Sequence, residues 1–304
     1  MLYYINMLTP QDSYPELTKS LGLTSEKAQI FFKREDLHPY GSHKGRSIPL
    51  MIDHYIGEGF KHFALSSSGN AAFAAAMHIK KINFERGNNG SEKIVLEILT
   101  GKGINSHKLE KLQGLKDENI LVSLQDRPLQ ALNMKIQDES IKSLRQSTDD
   151  LALKGYESLG QELLEIPNLQ AIFMGTSSGT TLQSLAEFFK SKGKKVELHL
   201  VQTSSCHPLA DTFVDNEKDE KSIADAIIDH SANRSEKLIP LIEASQGSGW
   251  IASNDQIIAA QDLAKKNANL SISTNSALSL AGLMQATYTG KKWNGSVVCM
   301  ICGD

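Results

Sequence analysis

The sequence predicts an α/β protein of two unequal lobes, each a largely parallel sheet flanked by helices. Short β-rich apolar runs alternate with longer helical patterns, the mark of parallel strands joined by crossover helices. The chain has 304 residues, 40% of them hydrophobic and 22% charged, which is enough to bury two packed cores rather than one. Two turns rich in glycine and small hydroxyl residues stand at strand-to-helix junctions.

In chain order, a helix over residues 47–57 leads into a strand at 62–65. A helix at 70–81 follows, built on Ala71, Ala72, Ala74, Ala75 and Ala76, whose small side chains allow close packing on a sheet. Strands at 94–99 and 120–124 enclose a short helix at 106–112, and helical patterns follow at 129–144 and 151–164. The second half continues with strand 171–174, helix 181–190, strand 196–202 and helices 255–268 and 276–286. It closes on strand 297–301, an uninterrupted apolar run that reads as buried on both faces. Residues 83–93, with Gly87, Asn88, Asn89, Gly90 and Ser91, read as a surface loop. The polar stretch 137–150 reads as a crossing between lobes, and the mixed-charge residues 214–222 as a solvated loop.

Composition excludes several functions. A formal net charge of −3 gives no basic footprint for nucleic acid. No stretch approaches the roughly 18 apolar residues of a membrane span, and residues 1–11 lack the basic flank and apolar core of a targeting segment. A cytoplasmic location is expected. Cys206, Cys299 and Cys302 show no paired metal spacing, and His43, His54, His62, His78, His107 and His207 are scattered, so no metal is expected and the thiols should be reduced.

Four places carry chemistry. Lys44 lies between the turn formers Pro39, Gly41 and Ser42 and the first predicted helix. A lysine amine is a nucleophile toward an aldehyde only when deprotonated, which burial favours. Alternatively, residues 41–46 do no more than cap that helix, with Ser42 as the cap. Ser66, Ser67, Ser68, Gly69 and Asn70 follow a strand and open the alanine-rich helix. Unpaired N–H groups at such a start bind an anion, and the serine hydroxyls add donors. The same residues also suit simple N-capping by Ser68 or Asn70. Gly175, Thr176, Ser177, Ser178, Gly179 and Thr180 form a third turn, whose N–H groups can converge on a phosphate with help from the helix dipole. Its spacing does not match a dinucleotide loop. Finally, Cys302 ends the last strand, where strand packing is its other reading.

These segments, in this order, resemble the pyridoxal-phosphate enzymes of the tryptophan-synthase-β fold family. The run Lys33-Arg34-Glu35-Asp36-Leu37 and the quartet Gly41-Ser42-His43-Lys44 look like the family's lysine site. The resemblance implies pyridoxal 5'-phosphate in a cleft between the lobes, with Lys44 forming a Schiff base and then shuttling the substrate's α-proton. It implies that Ser66, Ser67, Ser68 and Gly69 hold the substrate carboxylate and that Asn70 bonds the cofactor's ring oxygen. Gly175, Thr176, Ser177, Ser178, Gly179 and Thr180 would cradle the cofactor phosphate, with Ser42 and His43 as further candidates to contact it. Cys302 would face the ring nitrogen. A thiol is a weak donor there, which favours elimination or replacement over transamination. The chain departs from the family in Ser177 and Ser178, where glycine is frequent, and in ending two residues after Cys302, where relatives continue into a helix.

The implied lobes are 1–35 with 141–304, larger and binding the cofactor phosphate, and 36–140, smaller, mobile and carrying Lys44 and the carboxylate loop. Residues 155–162, 222–227, 254–265 and 275–283 look most like threonine synthases. The loop at 175–180 is closer to cysteine synthases, and Gly-Ser-His-Lys to tryptophan synthase β. The expected reaction is therefore O-phosphohomoserine plus water to threonine and phosphate, with Arg46, Lys33 and Arg34 as the nearest cations for the substrate phosphate. Serine/threonine dehydration and cysteine synthase-like β-replacement are the alternatives. A non-catalytic relative that binds the cofactor or a partner chain is the reading from another class. A homodimer acting on a small amino acid is implied by the resemblance.

Overall fold

The computed structural model describes residues 8–23, 25–88, 90–214 and 221–303. Of the mixed-charge stretch 214–222 singled out in the sequence, residues 215–220 lie outside the described residues. Two compact units make up the chain, one comprising Met1–His38 and Tyr156–Asp304, the other Pro39–Gly155.

The first unit opens with strand β1 (Gln11–Ser13), helix α1 (Pro15–Ser20) and strand β2 (Gln29–Arg34). The second unit then runs α2 (Lys44–Gly57), β3 (His62–Ser66), α3 (Asn70–Asn88), β4 (Val95–Gly101), α4 (Ser106–Gln113), β5 (Ile120–Gln125), α5 (Pro128–Lys135), β6 (Ile141–Ser143) and α6 (Leu151–Lys154). Its sheet has the order β5-β4-β3-β6, all parallel. Ile48, Met51, Ile52, Phe63, Leu65, Ala72, Ala75, Ala76 and Ile79 form the main core, with Ala64, Leu99 and Leu132 in a smaller cluster on the opposite face.

The chain returns to the first unit with α7 (Glu157–Leu164), β7 (Leu169–Gly175), α8 (Thr180–Ser191), β8 (Glu197–Thr203), α9 (Ser235–Ala244), β9 (Ser248–Ala252), α10 (Asn254–Ala268), α11 (Thr274–Tyr288) and β10 (Ser296–Ile301). The sheet order is β1-β2-β10-β7-β8-β9, parallel except for the short edge strand β1. Successive residues of β10 alternate between two cores. Val297, Cys299 and Ile301 join Ala171, Phe173 and Leu278, while Val298, Met300 and Cys302 join Ile172, Met174 and Leu182. A strand covered by helices on both faces must be apolar throughout, and the sequence of β10 reads that way.

Several elements differ from the sequence reading. The helix expected at 129–144 stops at Lys135. Ile141–Ser143 instead pairs as β6 with the open edge of β3, beginning with the turn bond from Ile141 N–H to the Asp138 carbonyl. The loop expected from residue 83 is helical to Asn88, because buried Asn83 uses its amide to accept from Ile94 N–H (2.7 Å) and donate to the Ile94 carbonyl (2.8 Å). The pattern at 151–164 breaks at Gly155 into α6 and α7. A Cβ there would lie 2.3 Å from Ser47 Cα, so only glycine lets α6 approach α2. Cys299 and Cys302, spaced as CxxC, point into opposite cores and cannot act as a pair. All three cysteines are buried free thiols. No helix among the described residues is long and apolar enough to cross a membrane.

Candidate active site

In the smaller unit, β3 lies between β4 and β6, so the chain leaves β3 to opposite sides of the sheet. Ligands of open parallel sheets bind beyond the strand C-termini at such a switch point. The turn Ser66-Ser67-Ser68-Gly69-Asn70 emerges there. Ser67 N–H is taken by the Leu99 carbonyl (3.2 Å), and Ser67 Oγ accepts from Gly69 N–H (3.3 Å). Those bonds shape the turn and leave Ser68 N–H, Ser68 Oγ and the Asn70 side chain without partners among the described residues, all half-buried. The first N–H groups of α3 are also unpaired by helix geometry, Phe73 being the first to bond back, to Gly69 O. The result is a row of half-buried donors, which suits a carboxylate.

Lys44 is the first residue of α2 and is half-buried. The Ser42 hydroxyl accepts from Lys44 N–H (3.3 Å), while the N-cap position itself belongs to His43 without a side-chain cap, so the expected cap role of Ser42 is one residue displaced. Gly41, at φ +75°, supplies the left-handed turn ahead of it. The approach to Lys44 is anchored by a network that the sequence did not reveal. Tyr40 Oη bonds His78 Nδ1 (2.9 Å), and His78 Nε2 bonds Asp53 Oδ1 (2.8 Å), tying the loop to α3 and α2. Ser47 Oγ donates to Ala152 O (2.8 Å) and fixes the first turn of α2 against α6.

In the larger unit, β7 continues outward to β8 and β9, whereas β10 lies on its other side, giving a second switch point between β7 and β10. Both expected cofactor loops of this unit, residues 175–180 and Cys302, emerge there from paired strands. Cys302 is buried, and the following Gly303 is held by Ser276 Oγ (from Gly303 N, 3.3 Å) and by Ser273 Oγ on its carbonyl (2.9 Å). Gly175 is forced by packing, since a Cβ would sit 2.9 Å from Leu278 Cβ. Gly179 is forced twice, by φ +79° and by Leu238 Cδ2 at 2.3 Å from a Cβ.

Inside the turn, Gly179 N–H donates to Thr176 Oγ1 (3.1 Å) and Ser178 Oγ lies 2.9 Å from Thr180 Oγ1. The Ser177 hydroxyl accepts from Ile228 N–H (3.1 Å) and Asp229 N–H (3.0 Å), so the serine that replaces a common glycine pins a neighbouring turn. Buried Arg234 donates through Nε to Thr180 Oγ1 (3.1 Å) and through Nη1 to Gln183 Oε1 (2.9 Å), placing a permanent charge at the first turn of α8. Fully buried Gln202 donates to the carbonyls of Thr176 and Ser177 (both 3.2 Å) and accepts from Leu209 and Ala210 N–H (2.8 and 3.0 Å). The N–H groups of Ser177 and Ser178 have no acceptor among the described residues. Small side chains, two unpaired amides and a helix start fit a phosphate. Gln202 and Arg234 were missed in the sequence, although a lone amide at the end of the apolar run 196–202 was a visible signal.

Two of the three cations nearest Lys44 in sequence behave unlike the expectation. Lys33 is fully buried and bonds Glu162 Oε2 (2.5 Å), the Thr9 carbonyl (2.8 Å) and Gln11 Oε1 (3.1 Å). Arg34 is held by both carboxylate oxygens of Asp36 (2.9 and 2.7 Å). Neither is available to a substrate phosphate. The described residues contain no group of three His, Cys, Asp or Glu side chains able to hold a metal ion.

A family described as pyridoxal-phosphate dependent enzyme matches residues 8–303 of the chain. The sequence is similar to threonine synthase of Bacillus sp. (strain ULM1), 26% identical over 306 residues that cover 97% of this chain and 82% of that protein. In architecture it is similar to a pyridoxal 5'-phosphate-dependent aspartate racemase, with a TM-score of 0.77, 19% identity and coverage of 97% of this chain and 90% of that one. It is equally similar to the processed form of threonine deaminase isoform 2 from Solanum lycopersicum, with a TM-score of 0.77, 18% identity and coverage of 99% and 85%. These two likenesses show the fold. With nearly its whole length matched, the chain belongs to the pyridoxal-phosphate-dependent enzyme family, and pyridoxal 5'-phosphate is its cofactor.

Proposed function

We propose that Lys44 carries the cofactor's aldehyde carbon, that residues 175–180 carry its phosphate, and that the enzyme performs elimination or replacement on a small amino acid. The observation that carries this reading is the pair of unpaired-donor turns, one at each sheet's switch point, each suited to a different anion. When bound, the cofactor supplies an electron sink for the substrate's α-carbon. Lys44 would hold the aldehyde carbon until the substrate's own amine replaces it there, and the freed Lys44 amine would take the α-proton and return it. Ser68, the Ser67 hydroxyl and the start of α3 would orient the substrate carboxylate, with Gly69 shaping the turn and Ser66 closing the strand end, and Asn70 would donate toward the ring oxygen. Cys302, a weak donor, leaves the ring nitrogen less strongly held than a carboxylate would. That would favour loss of a leaving group over transamination.

The preferred reaction is threonine synthase-like, O-phosphohomoserine plus water to threonine and phosphate, supported by likeness over most of the chain to threonine synthase. A cytoplasmic homodimer is part of this reading. Dehydration of serine or threonine is a second reading, and the pairing of Lys33 with Glu162 and of Arg34 with Asp36 favours it, because neither cation is then at hand for a substrate phosphate. Incubating purified enzyme with phosphohomoserine, serine, threonine and O-acetylserine separates the two. Phosphate with threonine is expected under the first, ammonia with a 2-oxo acid under the second. Failure of borohydride to fix cofactor on Lys44 would sink the lysine assignment under either.

A further inference from the structure

We infer that Gln202 is the positioning residue that aims the phosphate-binding amides of Ser177 and Ser178. The inference rests on the reading of residues 175–180 as the cofactor-phosphate turn. In a trans peptide the C=O and the N–H of the same unit point in opposite directions. The Thr176 carbonyl shares its peptide with Ser177 N–H, and the Ser177 carbonyl shares its peptide with Ser178 N–H. Gln202 Nε2 donates to both carbonyls at 3.2 Å, which turns both N–H groups away from the amide and toward the open side of the turn.

Gln202 is itself immobilised. It is fully buried on β8, beside β7, and its Oε1 accepts from Leu209 N–H (2.8 Å) and Ala210 N–H (3.0 Å). Donors and acceptor are thus both engaged, so rotation of the amide would break two to four bonds at once and place like groups together. The remaining amides of the turn are already committed: Thr176 N–H to Val201 O, and Gly179 N–H to Thr176 Oγ1. Ser177 and Ser178 are therefore the turn's residues ahead of α8 with backbone donors to offer, and Gln202 sets their direction without touching the anion.

Two shape-conserving variants test this. Gln202→Met removes all four bonds, and Gln202→Glu keeps an acceptor for Leu209 and Ala210 but turns an acceptor toward the two carbonyls. Each is titrated with pyridoxal 5'-phosphate and with pyridoxal, which lacks the phosphate, following the lysine-linked absorbance, with thermal melts as a folding control. Both variants should bind the phosphorylated form roughly tenfold or more weakly, the loss expected when buried amide bonds are removed, and pyridoxal as the wild type does. Unchanged affinity for pyridoxal 5'-phosphate, or equal losses for both compounds, overturns the inference. Amide hydrogen exchange on the wild-type protein gives a readout independent of variant folding: the phosphorylated cofactor, and not pyridoxal, should protect Ser177 and Ser178, and protection confined to other amides overturns it. A wild-type protein that takes up pyridoxal but shows no preference for its phosphate ester would remove the phosphate-turn reading itself, and the role of Gln202 with it.

Discussion

Lys33 Nζ and Glu162 Oε2 meet at 2.5 Å with side chains 1% and 9% exposed, joining the central face of β2 to α7. Thr9 N–H also reaches Glu162 Oε2, at 3.3 Å, and Thr9 O accepts from Lys33, so the pair organises the chain's first described residues around it. Removing one partner leaves a buried charge uncompensated. Glu162→Gln should cost about 3–5 kcal/mol in urea unfolding, whereas Lys33→Met combined with Glu162→Leu should recover most of that loss. A single variant as stable as the wild type would show that the pair is solvated.

Gly179 combines a left-handed backbone with contact against Leu238. Gly179→Ala should destabilise by about 1–2 kcal/mol from the backbone alone, and more if Leu238 cannot move. The turn must shift to relieve the contact, so affinity for pyridoxal 5'-phosphate should fall together with stability. Equilibrium dialysis of the cofactor and a melting curve on the same preparation check both.

Arg234 donates to Thr180 Oγ1 and Gln183 Oε1 at the start of α8. Because its Nε–H fills a lone pair of Thr180 Oγ1, the Thr180 hydroxyl proton can be directed to Ser178 Oγ, whose own proton is then available to an anion. Arg234→Met should weaken phosphate-ester binding, and the difference from the wild type should shrink little with added salt, since a buried charge is screened far less than a surface one. A loss abolished by moderate salt would indicate a surface effect.

His199 is buried against Phe173, with ring centroids 4.2 Å apart and planes 13° from parallel. Trp250 Nε1–H donates to its Nδ1 (3.2 Å), which fixes the proton on Nε2 and directs it to Glu197 Oε2 (3.1 Å). Burial pushes the His199 imidazole below its ordinary value of 6.5, against the opposing pull of Glu197. Burial would raise the Glu197 carboxyl, but hydrogen bonds from His199 and Trp293 and the charge of Lys291 outweigh it and hold the group below its ordinary 4.5. For both groups the unfolded chain binds the proton more readily, so stability is present above the unfolded value and falls as pH drops through it. The unfolding free energy from urea titrations should therefore decline below about pH 6.5, by at most about 1.4 kcal/mol per pH unit for each proton. His199→Gln should flatten the part of that slope between pH 5 and 7, and an unchanged slope would place the titration elsewhere.

What the sequence determined by itself is the set of elements whose local pattern and tertiary setting agree. The β10 run and the segment 171–174 are apolar because helices cover both faces of the sheet, and the alanine-rich α3 packs closely for the reason its composition announces. The turn at 175–180 was legible because the positive φ of Gly179 and the close approach at Gly175 admit few residue types, and the turn at 66–70 because small hydroxyl residues stand beside the unpaired N–H groups of a helix start. Other features became visible only when distant segments met. β2 was hidden by Lys33, a charge that is tolerable in a central strand only because Glu162 arrives from α7. β6 is three residues long and is a strand only because the edge of β3 needs partners, and β9 is short and begins Ser248-Gly249. Gln202 reads in sequence as the polar end of a strand, and its hold on two carbonyls depends on β7 and β8 lying side by side. Chemistry that resides in backbone freedom is written locally, while buried charges and amides acquire meaning from partners that only folding supplies.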